Sequence, residues 1–246
     1  MIGIIGGTGL LALAALDERI SRRVSTPWGD PSAELTVGHW HGQAVAFLPR
    51  HGDPHAIPPH AINYRANVWA LKEAGVTDII AVNTVGGIHA DCDAGRLVIV
   101  DDVIDYTWGR EHSYHDGISG TLEHVDLSEP YDAALRQQLV DAVKQAGLAC
   151  RDHGVYAATQ GPRLETPAEI RRLKRDGCDV VGMTGMPEVA LARELGLAYA
   201  CICLVVNPAA GLSDEPITME AIQQVLQTGA GHLLQVLDAF LSMPDD

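Results

Sequence analysis

Four short segments of the sequence combine small residues with groups that bind anions. Glycine lets backbone N–H groups approach a ligand, hydroxyl and amide groups donate hydrogen bonds, and arginine can bind phosphate through two N–H groups. Three of the segments follow apolar runs typical of β-strands, and the fourth precedes a helix start, so together they predict a phosphate site. The segments are Gly6-Gly7-Thr8-Gly9, Pro49-Arg50-His51-Gly52, Asn83-Thr84-Val85-Gly86-Gly87, and Thr184 ahead of Pro187.

Each segment alone has another explanation. Gly7, Gly9 and Ala12 match the G-x-G-x-x-A pattern of dinucleotide-binding folds, but residues 25–32 read as a loop where that fold needs a strand ending in an acid. The glycine turn can also be purely structural, and the Arg-His pair can be an ordinary surface feature. Because ligands of α/β folds collect at the carboxyl ends of strands, four such segments favour an anion site.

The 11 histidines raise the alternative of a metal site. His51, His55 and His60 share a Pro-rich loop, and His112 and His115 form a second group. Neither group is accompanied by an H-E-x-x-H motif or by a cluster of carboxylates. We therefore expect no catalytic metal.

Composition disfavours several other classes of protein. The formal net charge is −15 without a long basic run, so we expect no nucleic-acid partner. The five cysteines show no zinc-type pairing and fit a reducing compartment, with Cys201 and Cys203 alternating along a buried strand. The apolar start lacks the positive charge of a signal peptide, and no other segment reaches the ~18 apolar residues of a membrane span. These features indicate a cytoplasmic protein without a membrane partner.

Apolar β-branched runs alternate with helical patterns, which predicts an α/β fold with a sheet covered by helices. The first strand is expected to lead through the glycine turn into a helix. Further helices are indicated at about residues 60–74, after the capping box of Thr166 and Glu169, from Pro187 to Gly196, and at residues 222–240. No linker or repeat divides the chain, so residues 1–246 are expected to form a single domain. Strands are predicted at residues 2–5, 44–48, 78–83, 97–103, 154–158 and 198–206.

These segments together resemble the trimeric branch of the purine nucleoside phosphorylase and methylthioadenosine phosphorylase family. The resemblance runs in family order across nearly the whole chain, and it implies a mixed central sheet flanked by helices and a homotrimer. It also implies phosphorolysis of a purine nucleoside with inorganic phosphate as co-substrate and no metal or organic cofactor. The matching stretches, besides the four above, are Asn63-Tyr64-Arg65-Ala66-Asn67-Val68-Trp69-Ala70-Leu71-Lys72, Gly161-Pro162-Arg163-Leu164-Glu165-Thr166 and Gly182-Met183-Thr184-Gly185-Met186-Pro187-Glu188.

The resemblance also implies roles for individual residues. Met183 is expected against the ribose, and Asn207 and His51 are expected to take part in catalysis. The expected phosphate ligands are Thr8, Arg50, His51, Asn83, Thr84 and Thr184, and the expected purine contacts are Leu164, Glu165, Asn207, Pro208 and Ala209. Glycosidic cleavage passes through an oxocarbenium-like sugar, so the enzyme must hold phosphate beneath the anomeric carbon and stabilise the charge that grows on the purine.

Glu165 and Asn207 depart from the adenine-cleaving relatives, which carry Ser and Asp at these positions. A 6-oxopurine offers N1–H as a donor, which the Glu165 carboxylate can accept, and O6 or N7 can accept from the Asn207 amide. Adenine offers N1 as an acceptor, and a buried mismatch of this kind costs about 1–3 kcal/mol. Without the family match, Glu165 is a helix-start residue and Asn207 a turn former; with it, base recognition is the favoured interpretation.

The 5′ side of the sugar is expected to meet Met219 and Ile222 at the start of the final helix, with His124 approaching from a neighbouring subunit. An apolar Met219 suits a methylthio group better than a hydroxyl, although methionine at a helix start is usually a packing residue. The combination predicts 5′-methylthioinosine as substrate. Methylthioadenosine, inosine or guanosine phosphorolysis remain alternatives, and a nucleoside hydrolase or a non-enzymatic nucleotide-binding module are more distant ones.

Overall fold

The computed structural model describes residues 1–7, 15–117 and 122–243. Their centre is a mixed β-sheet in which β1 (Ile2–Gly6) lies between β4 (Gln43–Pro49) and β5 (Asp78–Gly87), all three parallel. A second long strand, β11 (Ala198–Pro208), runs parallel to β5 along its whole length. The remaining strands are β2 (Asp17–Arg22), β3 (Leu35–Trp40), β6 (Leu97–Ile99), β7 (Asp102–Asp105), β8 (Cys150–Arg151), β9 (Val155–Ala158) and β10 (Val180–Gly182).

The sheet is forked at β5. One path follows the order β2-β3-β4-β1-β5-β10-β9-β7, while β11 pairs with β5 and continues through β6 to β8. The β5–β10, β6–β11, β2–β3 and β3–β4 pairs are antiparallel and the others parallel, so the mixed sheet implied by the resemblance is confirmed.

Helices cover both faces of the sheet. On one face α1 (Tyr64–Glu73) packs on α4 (Gly185–Glu194), and on the other α2 (Ala133–Gln145) packs on α5 (Met219–Leu241). Alternate residues of β11 enter the two cores, with Cys201 and Cys203 on the α1/α4 side and Ile202 on the α2/α5 side. Both cysteines are buried, as predicted, and all five thiols of the chain are free.

The observed helix boundaries show which of the sequence signals predict a helix start correctly. The capping box is present, since Thr166 Oγ1 accepts from the Glu169 N–H and Glu169 accepts from the Thr166 N–H, and α3 (Pro167–Arg175) follows it. The helix predicted from residue 60 begins only at Tyr64, because the Asn63 side chain caps it by accepting from the Ala66 N–H. A short 3₁₀ turn, Pro59–Ala61, precedes it.

One predicted strand is wrong in detail. Residues 97–103 form two strands, because Leu97–Ile99 pairs with β11 and β8 while Asp102–Asp105 pairs with β9 in the other branch of the fork. Asp101 lies at the break, where its carboxylate accepts from the Gly154 N–H. The other five predicted strands are confirmed, and residues 25–32 form a loop as expected. The helix expected after the glycine turn falls on residues 8–14, outside the described residues.

Two further features bear on function. The pairing of β11 with β5 shifts register between Val205 and Asn207, so that Val206 is an extra, bulged residue. Within the described residues, no helix reaches the length and apolar character that crossing a bilayer requires.

Candidate active site

A cavity of about 340 Å³ lies at the carboxyl edge of the parallel strands. Gly6 at the end of β1 is paired with Pro49 of β4 and with Val82 of β5, so Arg50, Gly7 and Asn83 emerge side by side. This is the edge at which α/β folds bind ligands, and it is the position that the anion-binding segments predicted. The walls of the cavity are completed by the loop before α3, the turn before α4 and the first half of α5.

Most of the residues singled out in the sequence line this one cavity: Arg50, His51, Asn83, Thr84, Leu164, Glu165, Met183, Thr184, Asn207, Ala209, Met219 and Ile222. Two do not. Pro208 is exposed and does not line the cavity, and His124 lies in an exposed stretch outside the cavity of this chain. Thr8 falls outside the described residues.

Arg50 is buried, with 1% of its surface exposed, and it faces an equally buried Glu188. Its Nε and Nη2 donate to the two carboxylate oxygens of Glu188, both at 2.8 Å. Tyr199 also donates its hydroxyl to Glu188, at 2.8 Å. Burial alone lowers the pKa of Arg50, but the attached carboxylate outweighs it, and the pKa is raised above its ordinary value. Arg50 is therefore a buried cation whose charge is paired with the Glu188 carboxylate.

The donors of Arg50 are almost all occupied. Besides Glu188, Nη1 donates to the Val82 carbonyl at 3.1 Å and Nη2 to the Ile5 carbonyl at 3.4 Å. A guanidinium has five N–H donors, so one of them, on Nη1, is left for a ligand. Arg50 therefore makes the two-point contact expected for phosphate to Glu188 instead. A phosphate here would accept a hydrogen bond from only one N–H of a guanidinium whose charge is already paired.

His51 is held in its neutral form. Its Nδ1 donates to the Ile57 carbonyl at 2.8 Å, and because a carbonyl only accepts, Nδ1 carries the ring proton and Nε2 is an acceptor. Burial, helped by the neighbouring Arg50 cation, lowers the pKa of His51 to about 4, although the bond to the Ile57 carbonyl acts in the opposite direction. A ring of this kind can accept a hydrogen bond from a protonated phosphate oxygen.

Thr184 is fixed by a chain of buried polar groups. Its hydroxyl donates to Asn83 Oδ1 at 3.3 Å, and Asn83 Nδ2 donates to Cys201 Sγ at 3.3 Å. Its N–H donates to the Tyr156 hydroxyl at 3.4 Å. A Cβ on Gly182 would lie 2.1 Å from that hydroxyl, so only glycine fits there. These contacts hold the hydroxyl of Thr184 at the cavity wall.

The predicted cooperation of Thr184 with a helix N-terminus is not formed. Although α4 starts at Gly185, Met186 has the non-helical angles φ −118° and ψ 142°, so regular helix begins only beyond it. Thr184 makes no capping bond, and the residues that follow it do not line the cavity. An anion at this place would meet side chains and loop N–H groups rather than a helix dipole.

On the side expected for the base, Glu165 is partly buried and its Oε1 accepts from the Thr159 hydroxyl at 2.7 Å. The other oxygen is available to a ligand donor. Asn207 Nδ2 lies 2.7 Å from the Pro208 carbonyl, to which it donates. The carboxylate and the amide thus line the same cavity, as base recognition requires.

The third part of the cavity is apolar. Met219 at the start of α5 is 66% exposed, and Ile222 one turn later is buried. Behind them Ile217, Leu226 and Leu233 continue the wall, which suits an uncharged, hydrophobic substituent.

His51 and His55 of the first histidine group both lie in the cavity wall. His51 and His55 stack with ring centroids 4.4 Å apart, and Nδ1 of His51 is occupied by a carbonyl. Among the described residues, no three His, Cys, Asp or Glu side chains converge in a way that could hold a metal ion.

Two residues that support the site carry no recognisable signal in the sequence. Glu188 occurs only within a stretch that resembles the family, and Thr159 is not singled out by any pattern. Nothing in the dipeptide Pro187-Glu188 shows that the carboxylate is buried. The one signal of burial is the apolar run that follows it, Val189, Ala190 and Leu191, which is typical of a buried helix.

Comparison with known proteins places this geometry in a family. The sequence matches the phosphorylase superfamily over residues 1–242, and the chain belongs to that superfamily. A relative named "Probable S-methyl-5'-thioinosine phosphorylase" from Pseudomonas syringae pv. tomato is 55% identical over 239 residues, which cover 97% of each chain. A "Probable 6-oxopurine nucleoside phosphorylase" from Moorella thermoacetica is 42% identical over 236 residues, covering 96% of this chain and 90% of that one.

The solved structures agree with this assignment. A methylthioadenosine phosphorylase from Schistosoma mansoni in complex with adenine superposes with a TM-score of 0.92 at 34% identity, covering 98% of this chain and 90% of that chain. A methylthioadenosine phosphorylase from an antarctic soil metagenomic library gives a TM-score of 0.92 at 33% identity, over 98% of this chain and 85% of the other. The predicted family and its single-domain mixed α/β fold are confirmed.

Proposed function

We propose that the chain is a pentosyltransferase that cleaves a 6-oxopurine nucleoside with inorganic phosphate. The proposed reaction converts S-methyl-5′-thioinosine and phosphate to hypoxanthine and 5-methylthioribose 1-phosphate. The observation that carries the proposal is that one cavity gathers the anion-binding groups around Arg50, the Glu165–Asn207 pair and the apolar start of α5. The names of the relatives support the same reaction class.

The chemistry follows from the contacts. As the C1′–N9 bond breaks, a phosphate oxygen forms the new bond to C1′, and the sugar passes through an oxocarbenium-like state. Arg50, Asn83, Thr84 and Thr184, together with Thr8, would hold the phosphate, and His51 would accept its O–H. Met183 would lie against the ribose. Placing the two reactants in one cavity supplies much of the rate by orientation.

The purine leaves with electron density on its ring, so a donor near N7 or O6 lowers the barrier. Asn207 would exchange its contact with the Pro208 carbonyl for one to the purine, and Glu165 would accept from N1–H. Leu164 and Ala209 would contact the ring, while the exposed position of Pro208 limits it to shaping the loop. This arrangement supports 6-oxopurines over adenine, because a carboxylate repels the N1 lone pair of adenine.

The sugar preference rests on α5. Met219 and Ile222 offer an apolar surface, so a 5′-methylthio group is proposed over a 5′-hydroxyl. We also propose a homotrimer in which His124 of one subunit approaches the 5′ side of the next. The exposed segment that carries Leu122, His124 and Val125 is consistent with such a contact.

The proposal also covers the co-substrate and the cellular location of the enzyme. Inorganic phosphate is proposed as a co-substrate, without a metal or organic cofactor. A cytoplasmic location is proposed, and the five free thiols support a reducing compartment.

The deciding experiment assays base release from methylthioinosine, inosine and methylthioadenosine, each with and without phosphate. We expect hypoxanthine release from methylthioinosine only with phosphate or arsenate, weaker turnover of inosine, and much weaker turnover of methylthioadenosine. Release that is unchanged when phosphate is omitted would establish a hydrolase instead. A thermal-shift comparison of phosphate plus hypoxanthine with NAD separates the enzyme from a nucleotide-binding module.

A further inference from the structure

Arg110 is the most heavily hydrogen-bonded side chain beside the cavity, yet it does not line it. It projects from the segment that follows β7 and is 7% exposed. Its five acceptors come from three different parts of the chain. They are Tyr64 Oη at 3.1 Å, the Met183 carbonyl at 2.9 Å, the Met186 carbonyl at 2.6 Å, the Thr159 carbonyl at 3.2 Å and the Gln160 carbonyl at 2.9 Å.

All of these acceptors are neutral. Four are backbone carbonyls and one is a phenol oxygen, so this buried cation donates its hydrogen bonds to neutral groups and to no carboxylate. Its Nε is buried and has no partner among the described residues. Burying a charge in this way is costly, and departures of this kind concentrate at functional sites.

The carbonyls that Arg110 binds belong to the segments that shape the cavity. Met183 and Met186 flank Thr184, so the two bonds fix the turn that carries both a sugar contact and an anion ligand. The Thr159 and Gln160 carbonyls belong to the segment whose Thr159 hydroxyl holds Glu165.

Tyr64 extends the same network to a third wall. Its hydroxyl accepts from Arg110 and donates to the Pro59 carbonyl at 2.9 Å, and Pro59 lines the cavity. The Arg110 guanidinium also lies 5.4 Å from the centre of the Tyr64 ring. One planar group thus joins three walls that are distant in sequence.

We propose that Arg110 is a positioning residue that sets the distance between the sugar and anion groups around Met183 and the base-recognising carboxylate of Glu165. This inference rests on the proposed function and deepens it. The geometry requires a guanidinium, because only a planar fork reaches carbonyls on both sides at once. Lysine would bring the charge as a single point and leave several carbonyls without a donor.

The test uses Arg110→Lys and Arg110→Ala in the full-length enzyme, with methylthioinosine and phosphate as substrates. We expect kcat/KM for the nucleoside to fall by about a hundredfold in both variants, since a misplacement of about 1 Å has that effect. The matched control is Arg136→Ala on α2. Arg136 also donates only to carbonyls, those of Ile99, Val100 and Asp152, but it lies away from the cavity, so its loss should affect the melting temperature and leave kcat/KM unchanged.

A second measurement separates positioning from a general structural role. Guanidinium, added far below the molar range in which it denatures proteins, should restore part of the kcat/KM of Arg110→Ala. Methylammonium at the same concentration carries the same charge without the fork, and it should not restore activity. Neither compound should raise the kcat/KM of Arg136→Ala, because that variant is expected to have lost none.

The outcomes are distinguishable. Wild-type enzyme without phosphate-dependent hypoxanthine release would refute the proposed function itself. An active wild type with equally active Arg110 variants, equal rescue by both cations, or no rescue would overturn this inference alone. If Arg110→Ala does not fold, Arg110→Lys decides by its kcat/KM; failure of both to fold would show that Arg110 maintains the fold and would also overturn the inference.

Discussion

Arg50 and Glu188 meet by two parallel hydrogen bonds of 2.8 Å, and both side chains are almost completely buried. The pair joins the end of β4 to α4 and leaves Arg50 one N–H for a ligand. A phosphate bound here as proposed would meet mainly neutral donors, since the nearest cation is paired and His51 is uncharged. Its affinity would then come from specific orientation more than from net charge.

Replacing Glu188 with Ala leaves Arg50 buried without its carboxylate. Loss of one partner of a buried pair costs about 3–5 kcal/mol, so we expect the free energy of unfolding to fall by that amount in urea titrations. The phosphate KM should rise as well, because Arg50 is released from its fixed orientation. Asp141→Ala, which breaks an exposed pair with Lys144, is the control and should change stability little. Equal effects of the two substitutions would contradict this account of the pair.

His51 should titrate far below an ordinary histidine. We expect the NMR resonance of its ring, assigned with His51→Gln, to show a midpoint at about pH 4 instead of 6.5. Since the unfolded chain takes up this proton at higher pH than the folded chain, the contribution to stability is full above pH 6.5 and is lost as the pH falls toward 4. Wild type should therefore lose more stability than His51→Gln between these values. A midpoint at 6.5 would show that the ring is not desolvated.

Base preference should follow Glu165 and Asn207. The double variant Glu165→Ser with Asn207→Asp removes the acceptor for N1–H and places an acid where adenine can share a proton. We expect the ratio of kcat/KM for methylthioadenosine over methylthioinosine to rise by roughly tenfold to a hundredfold. Thr159→Val is a useful companion, because it removes the hydroxyl that supports Glu165 and also contacts the Gly182 carbonyl at 3.2 Å. It should weaken methylthioinosine turnover without favouring adenine. An unchanged ratio in the double variant would remove this explanation of specificity.

Sugar preference should follow Met219. A histidine at this exposed cavity position offers a hydrogen bond to a 5′-hydroxyl and takes away an apolar contact to the methylthio group. Met219→His should therefore move kcat/KM toward inosine, by about tenfold for a lost apolar contact. Met243, which packs against the α2/α5 core near the other end of α5, provides the control, and Met243→Leu should leave the preference unchanged. A preference that does not respond to Met219 would assign the 5′ side to other residues.

The position of the site was predictable because it depends on local signals. Parallel strands carry their carboxyl ends to one edge, so Arg50, Asn83 and Asn207 could be expected together once their strands were recognised. The capping box before α3 likewise follows from Thr166 and Glu169 alone.

Features that depend on long-range packing could not be predicted in the same way. Nothing in the run from Leu97 to Val103 shows that its two halves enter different branches of a forked sheet. Glu188 looks like a residue of a solvated first helical turn, and only the fold brings it to Arg50 across 138 positions of sequence. Arg110 is similar, since its partners are backbone carbonyls, which carry no sequence signal.

The extra residue in β11 also determines which side chains a substrate can meet. Side chains of a regular strand alternate between faces, so Leu204 and Val206 would share the cavity side while residue 207 pointed away. The bulge at Val206 reverses that alternation, and Asn207 and Ala209 join the same cavity wall. The proposed recognition of the base thus depends on the number of residues in β11 as well as on their chemistry. A chain one residue shorter here would keep its asparagine and present it to the wrong side of the sheet.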